Sequence, residues 1–245
     1  MTLADRLLEL AHTDERAVLF TIVEGEPLGA KLLVLPERGE VLGDAPRELE
    51  ALVPEIRRNG VLDHAGMRVY AEVYGPPPRL VVVGAVDTAE ALCAAAKAIG
   101  WHTVCVDARS RFATKERIPS ADELVVAWPE EAFERIAPDR DTAVAVLTHD
   151  EKFDVPALTA ALRTDAFYIG AIGARRTQSR RRERLIEAGL NEDELERIHG
   201  PAGLDIGAAT PAETAVSILT EALAVRAERT GRPLKTAAGR IHVEL

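Results

Sequence analysis

The sequence predicts an α/β protein: a doubly wound parallel sheet in its C-terminal part, with a small N-terminal α+β domain ahead of it. Two observations predict this. From residue 80 onward, short, nearly continuous apolar runs alternate with longer stretches of helical periodicity, as strands covered by helices on both faces do. Before residue 75 the runs are shorter and are broken by Gly25, Pro27, Gly29, Pro36 and Gly39, as in small β structure. With 47% apolar residues in a chain of 245, there is enough material for a buried core.

In order along the chain, residues 1–12 read as an amphipathic helix through Leu3, Leu7, Leu8 and Leu10. Strand-like runs follow at 18–23, 31–35 and 41–42. Residues 46–58 have helical periodicity through Leu49, Leu52, Val53 and Ile56, with Asn59-Gly60 as the stop. Residues 67–74 alternate as a strand. Gly75-Pro76-Pro77-Pro78 removes three backbone donors in a row and marks a boundary. Domains are therefore expected at 1–75 and 76–230, with a tail at 231–245. In the second domain the strands fall at 80–83, 103–106, 124–126, 143–147 and 167–169. The helices fall at 87–99, 129–136, 156–163, 175–188 and 211–229, giving a Rossmann-like order of elements.

Charge and cysteine content narrow the function. Thirty Lys and Arg stand against 40 Asp and Glu, a net charge of −10, which argues against general nucleic-acid binding. No apolar run is long enough to span a membrane. Residues 1–17 carry four acidic groups and no apolar core of a secretory signal, so a cytoplasmic protein is expected. Cys93 and Cys105 are the two cysteines and form no C-x-x-C; both read as small core residues, and no metal site is expected. Trp101 and Trp128 read as packing residues.

Four stretches can carry chemistry. The turn Gly84-Ala85-Val86-Asp87-Thr88-Ala89 stands where a dinucleotide fold has G-x-G-x-x-G/A, but Val86 replaces the glycine that lets backbone approach a pyrophosphate. Asp107, about twenty residues on, stands where a carboxylate holds a ribose, and Arg109 beside it suits a phosphate. Thr148-His149-Asp150 follows the fourth strand; His149 is a candidate acid–base group, or with Asp154 it caps the next helix. Gly170-Ala171-Ile172-Gly173-Ala174-Arg175-Arg176-Thr177 opens a helix, where free N–H groups and guanidinium groups suit an anion. Arg180, Arg181, Arg182 and Arg184 read as a solvated helix face. Last, a glycine-rich stretch with His199, Gly203 and Asp205 precedes a helix start of Thr210 N-cap, Pro211 and Glu213.

Taken together, these residues resemble the XdhC/CoxI family. The resemblance is carried by Tyr168-Ile169-Gly170-x-x-Gly173-Ala174-Arg175-Arg176-Thr177 and by Arg197-Ile198-His199-Gly200-Pro201-x-Gly203-Leu204-Asp205-Ile206-Gly207-x-x-Thr210-Pro211-x-Glu213. Leu147-Thr148-His149-Asp150 also matches, and a weaker likeness runs through residues 18–60. The family implies a maturation factor for molybdenum hydroxylases such as xanthine dehydrogenase or carbon monoxide dehydrogenase. Such a factor binds molybdenum cofactor, assists its sulfuration with a cysteine desulfurase, and delivers it to the apoenzyme. The candidate cofactor-binding residues are Gly84, Asp107 and Arg109 on the dinucleotide-like turn, and, on the stretches that carry the resemblance, His149, Asp150, Gly170, Gly173, Arg175, Arg176, Thr177, His199, Gly203 and Asp205. The chain reads as a cofactor-binding chaperone rather than an enzyme, and as a homodimer. Two departures stand out: Gly43-Asp44-Ala45-Pro46 lacks the family's cysteine, and Gly84-Ala85-Val86-Asp87 lacks its Gly-Ala-Gly-His turn. Two alternatives stay open, an NAD(P)-dependent oxidoreductase on the same scaffold and a non-catalytic scaffold for a hydroxylase subunit.

Overall fold

A computed structural model describes residues 2–148 and 150–237, the side chain of Glu151 excepted. The chain divides into two compact units, one running to Pro76 and joined by the segment from Leu234, the other Pro77–Pro233. That segment begins within the stretch the sequence reading set apart as a tail; residues 238–245 lie outside the described residues.

The first unit opens with α1 (Leu3–Leu10), started by a reciprocal cap between Thr2 and Asp5. Five antiparallel strands follow: β1 (Ala17–Glu24), β2 (Lys31–Leu35), β3 (Glu40–Gly43), β4 (Gly60–His64) and β5 (Met67–Tyr74), in the order β3-β2-β1-β5-β4. β1 is buried on both faces. Val18, Phe20 and Ile22 pack with Leu49, Val53 and Ile56, while Ala17 and Leu19 pack with Leu10. The helix expected at 46–58 is a 3-10 stretch, Arg47–Leu52. Pro54 has no N–H to give to Glu50, so the helix cannot continue. Its apolar positions still reach the core. The sequence shows no strand signal at β4, where Asn59-Gly60 reads as a helix stop. Instead Asn59 Oδ1 accepts the Val73 N–H at 2.8 Å and ties the start of this edge strand to β5. Gly43-Asp44-Ala45-Pro46 is a close-packed turn: a Cβ on Gly43 would lie 2.0 Å from the Lys31 carbonyl oxygen, and Asp44 accepts the Lys31 N–H.

The second unit is built on six parallel strands. They are β6 (Arg79–Val83), β7 (His102–Val106), β8 (Glu123–Val125), β9 (Thr142–Val146), β10 (Tyr168–Ala171) and β11 (Ile198–His199), in the order β11-β10-β9-β6-β7-β8. The switch point therefore lies between β6 and β9, as a doubly wound sheet requires. α2 (Asp87–Ala98) and α7 (Pro211–Arg226) cover one face through Leu92, Ala96, Ile218 and Ala222. α3 (Pro129–Ile136), α4 (Glu151–Leu162), α5 (Arg175–Glu187) and the short α6 (Glu192–Leu195) cover the other through Phe133, Leu158, Leu185 and Leu195. Because strand residues alternate between these two cores, the central strands β6, β9 and β10 are apolar on both sides. α7 starts on the Thr210–Glu213 capping box the sequence predicts. α4 starts five residues ahead of Pro156, because Asp150 accepts the Lys152 N–H and caps it there. No helix among the described residues is long and apolar enough to cross a membrane.

Candidate functional site

The carboxyl ends of the parallel strands carry two groups of loops, and they differ in how their polar groups are used. At the ends of β6 and β7, Gly84 turns with φ +105°; a Cβ there would lie 3.2 Å from the Thr148 nitrogen. This places the Gly84 turn directly beside the chain leaving β9. The Ala85 N–H, one of the donors a dinucleotide turn offers to phosphate, is taken by Asp107 Oδ2 at 3.0 Å. Asp107 also accepts the Arg109 backbone N–H at 2.9 Å and both Nε and an Nη of its guanidinium, at 2.9 and 2.8 Å.

Burial alone would raise the Asp107 carboxyl, but these hydrogen bonds outweigh it and hold it below its ordinary value. The Arg109 side chain lies over Phe112, 4.3 Å from the ring centroid, and near Phe153 at 5.3 Å. The space left among Gly84, Asp107, Arg109, Thr148 and Phe153 is about 10 Å³, room for one water at most. Asp107 and Arg109 thus serve each other rather than a ribose and a phosphate, and these residues do not fit a dinucleotide.

His149 lies outside the described residues. Asp150 is exposed and caps α4. Asp154 is not a cap: it is buried and accepts two hydrogen bonds from Arg181, at 2.7 and 3.1 Å. Arg181, read from sequence as part of a solvated face, is 3% exposed and also donates to the Ile172 carbonyl at 2.9 Å. It ties α4, α5 and the loop after β10 together.

The second group of loops leaves β10 and β11. Gly170 pairs in register with His199, and the Ala202 N–H donates to the Ala171 carbonyl at 3.0 Å, so the two loops run side by side. Gln178 on α5 reaches the Ala171 and Gly173 carbonyls at 3.1 and 3.2 Å. The glycines here make room for neighbours. A Cβ on Gly170 would lie 2.4 Å from the Tyr168 hydroxyl, and one on Gly203, at φ +110°, 2.3 Å from Ser217 Oγ. Gly173, at φ +129°, leaves space for Thr177. α5 starts at Ala174 with no side-chain cap and no acidic residue in its first turn, leaving N–H groups unsatisfied. Arg175, Arg176 and Thr177 are exposed on that turn, and neither guanidinium has an ion-pair partner among the described residues. Asp205 is exposed on the second loop. This crest can receive an anion at the helix start.

His199 ends β11, with its ring 4.9 Å from that of Tyr168. Glu221 of α7, which sequence reasoning did not single out, accepts the Tyr168 hydroxyl at 2.6 Å and the Gly203 N–H at 2.7 Å. Burial would raise the Glu221 carboxyl, but His199, Tyr168 and the Gly203 N–H hold it below the ordinary value. Burial, reinforced by Glu221, raises the Tyr168 phenol well above its own. A signal for Glu221 was available: it lies three residues after Ile218 and one before Ala222, inside the buried stripe of α7. Trp101 packs edge-on against Phe167 as expected of a core residue, whereas Trp128 stacks on Phe153 with half its surface exposed. Cys93 and Cys105 are buried; burial pushes the Cys93 thiol up to about 12. No cluster of metal ligands occurs among the described residues.

Comparison with known proteins agrees with this architecture. Residues 80–222 match the family model of the XdhC Rossmann domain. The chain is 29% identical over 151 residues to a probable xanthine dehydrogenase subunit of Bacillus subtilis, covering 62% of this chain and 44% of that protein. It is 39% identical over 88 residues to the molybdenum cofactor insertion chaperone PaoD of Escherichia coli, covering 36% of this chain and 28% of PaoD. The chain thus spans less than half the length of these curated relatives. A crystal structure of a xanthine dehydrogenase from Bacillus halodurans superposes with a TM-score of 0.68 over 92% of this chain and 67% of that one, at 23% identity, which speaks to the fold. With more than half of its residues in the XdhC Rossmann domain, the chain belongs to the XdhC family.

Proposed function

We propose that this protein is a maturation factor for a molybdenum hydroxylase of the xanthine dehydrogenase or carbon monoxide dehydrogenase type. It holds molybdenum cofactor as cargo on the crest of β10 and β11 and passes it to the apoenzyme. The observation that carries this reading is the crest itself: two adjoining loops that leave an uncapped helix start and the unpartnered guanidinium groups of Arg175 and Arg176 open to an anion. The cargo is suggested by PaoD, which is named for inserting this cofactor.

Each residue then has a task. Arg175, Arg176 and the first N–H groups of α5 bind the cargo's phosphate. Gly170 and Gly173 let the chain pass close beneath it; Thr177, Gly203 and Asp205 border it. His199 and, from the end of β9, His149 and Asp150 address the rest of the cargo, His149 as the candidate acid–base group. Sulfuration falls to a partner, a cysteine desulfurase: both cysteines here are buried, and the Cys93 thiol titrates too high to be a thiolate. The protein works in the cytoplasm as a homodimer.

The geometry around Asp107 and Arg109 argues against the NAD(P) reading, so the Gly84 turn is assigned to holding the fold. The test is to mix the purified chain with released molybdenum cofactor and follow both its retention and the reconstitution of an apo-hydroxylase. Retention that falls when Arg175 and Arg176 become alanine supports the reading; failure of both assays with well-folded protein overturns it.

A further inference from the structure

Glu221 is a partly buried carboxylate whose three neighbours, Tyr168, His199 and Gly203, come from the ends of β10 and β11 and the loop after them. Its Oε2 accepts from the Tyr168 hydroxyl and the Gly203 N–H. Its Oε1 faces His199 Nδ1 at 3.7 Å, an electrostatic contact longer than a hydrogen bond. The Glu221 side chain is 16% exposed and that of His199 32%, so the carboxylate is the inner member of the pair and the imidazole the outer one. Tyr168 lies against the imidazole with ring planes 31° apart, and so limits how that ring can turn.

A carboxylate only accepts. The imidazole nitrogen that faces it is therefore the one that carries the proton, and Nε2 keeps its lone pair. Hydrogen bonds of working histidines are commonly long until a ligand draws on the ring, so a contact of this length can close when Nε2 is engaged.

We propose that Glu221 is a positioning residue: it fixes His199 as the Nδ1–H tautomer and anchors the Gly203 turn, so that Nε2 is presented to the cargo as a hydrogen-bond acceptor. This rests on the reading that the crest of β10 and β11 binds the cofactor. The proposal divides the labour there. The guanidinium groups of Arg175 and Arg176 serve the anion, and His199 serves a donor on the cargo.

The test is Glu221→Gln in the full chain, followed by nitrogen NMR of the imidazole at a pH about two units above the free histidine value. The signal is assigned with His199→Ala. The amide replaces the carboxylate with almost no change of shape: its oxygen, set at the Oε2 position, still accepts from Tyr168 and Gly203, while its NH2 now faces Nδ1 and donates. Wild-type protein is expected to show the Nδ1–H form, and the variant the Nε2–H form. Retention of released molybdenum cofactor is expected to fall about tenfold in the variant, the loss of roughly one hydrogen bond.

A wild-type ring in the Nε2–H form, or a tautomer that Glu221→Gln leaves unchanged, overturns the proposal. Should Glu221→Gln not fold, the wild-type spectrum alone decides, and Tyr168→Phe, which leaves the carboxylate in place, must keep the Nδ1–H form. Wild-type protein that shows the expected tautomer yet retains no cofactor overturns the reading of the crest while leaving the positioning of His199 intact.

Discussion

At the ends of β6 and β7, Asp107 gives its carboxylate to Ala85 and Arg109 of its own chain; at the ends of β10 and β11, Arg175 and Arg176 are exposed with no ion-pair partner among the described residues. Both regions sit on the same edge of one sheet and both follow a glycine turn. What separates them is where the counter-charge lies. An anion bound to the first region would have to displace a buried carboxylate from two sets of hydrogen bonds and enter a hollow of about 10 Å³. At the second it meets exposed cations and a helix start with no side-chain cap among the described residues. On the proposed reading, a Rossmann scaffold keeps its strand order while the ligand site moves from the first crevice to the last loops.

The sharpest way to break this contrast is to remove what holds the open crest in shape. Arg181→Ala removes the guanidinium that gives buried Asp154 two hydrogen bonds, and it frees the Ile172 carbonyl. Loss of one member of a buried pair costs about 3–5 kcal/mol, so a large fall in thermal or denaturant stability is expected. Replacing both Arg181 and Asp154 by apolar residues should recover part of that loss. A change under about 1 kcal/mol in Arg181→Ala would mean that the pair does not brace α4 against α5.

The closed region predicts a smaller effect with a pH signature. The Asp107 carboxyl is held below its ordinary value, so the stability it supplies is fully present above about pH 4 and is lost as pH falls through the folded value. Asp107→Asn is expected to cost about 1–3 kcal/mol at neutral pH, because Arg109 loses a buried acceptor. Its stability should also decline less steeply on acidification than that of the wild type. Parallel acid limbs for the two proteins would show that Asp107 does not carry this charge coupling.

Much of the fold was legible because its causes are local. Alternating apolar runs place the first five strands of the parallel sheet to within two residues, and the Thr210–Glu213 cap places α7. β11, with two residues, and α6, with four, are too short to show any period. α4 departs from its expected start at Pro156, a residue that suits a first helical turn, because the Asp150 side chain caps a helix that starts five residues earlier. The site was harder. Its loops are visible as glycine-rich stretches, but burial decides what each charge does. Asp107 and Arg109 stand two residues apart and satisfy each other, whereas Arg181 finds Asp154 twenty-seven residues earlier. Arg181 lies four residues before the buried Leu185, so the helical face gave a clue that the run of arginines around it obscured.

A ligand titration sharpens the comparison without altering the protein. NADH or NADPH at about 1 mM should leave the thermal transition where it is, because a ligand present at 100 times its Kd would add about 2.7 kcal/mol and be plain to see. A saturable shift would mean that Arg109 swings out of its hollow and that the first region is a gated site after all.

The smallest effect separates cations within α5. Arg176 stands on the uncapped first turn, whereas Arg182, two turns on, is paired with Glu192. If the cargo's anion rests on the helix start, Arg176→Ala removes a charge-assisted contact and should weaken retention about tenfold, while Arg182→Ala stays within about twofold. Neither substitution should change stability much, because both side chains are exposed. Equal losses from the two variants would place the anion along the helix face, held by the field of the whole arginine run. Raising the salt concentration tells these cases apart: a diffuse field is screened within a Debye length of about 10 Å at 0.1 M, whereas donors directed at a bound phosphate lose much less.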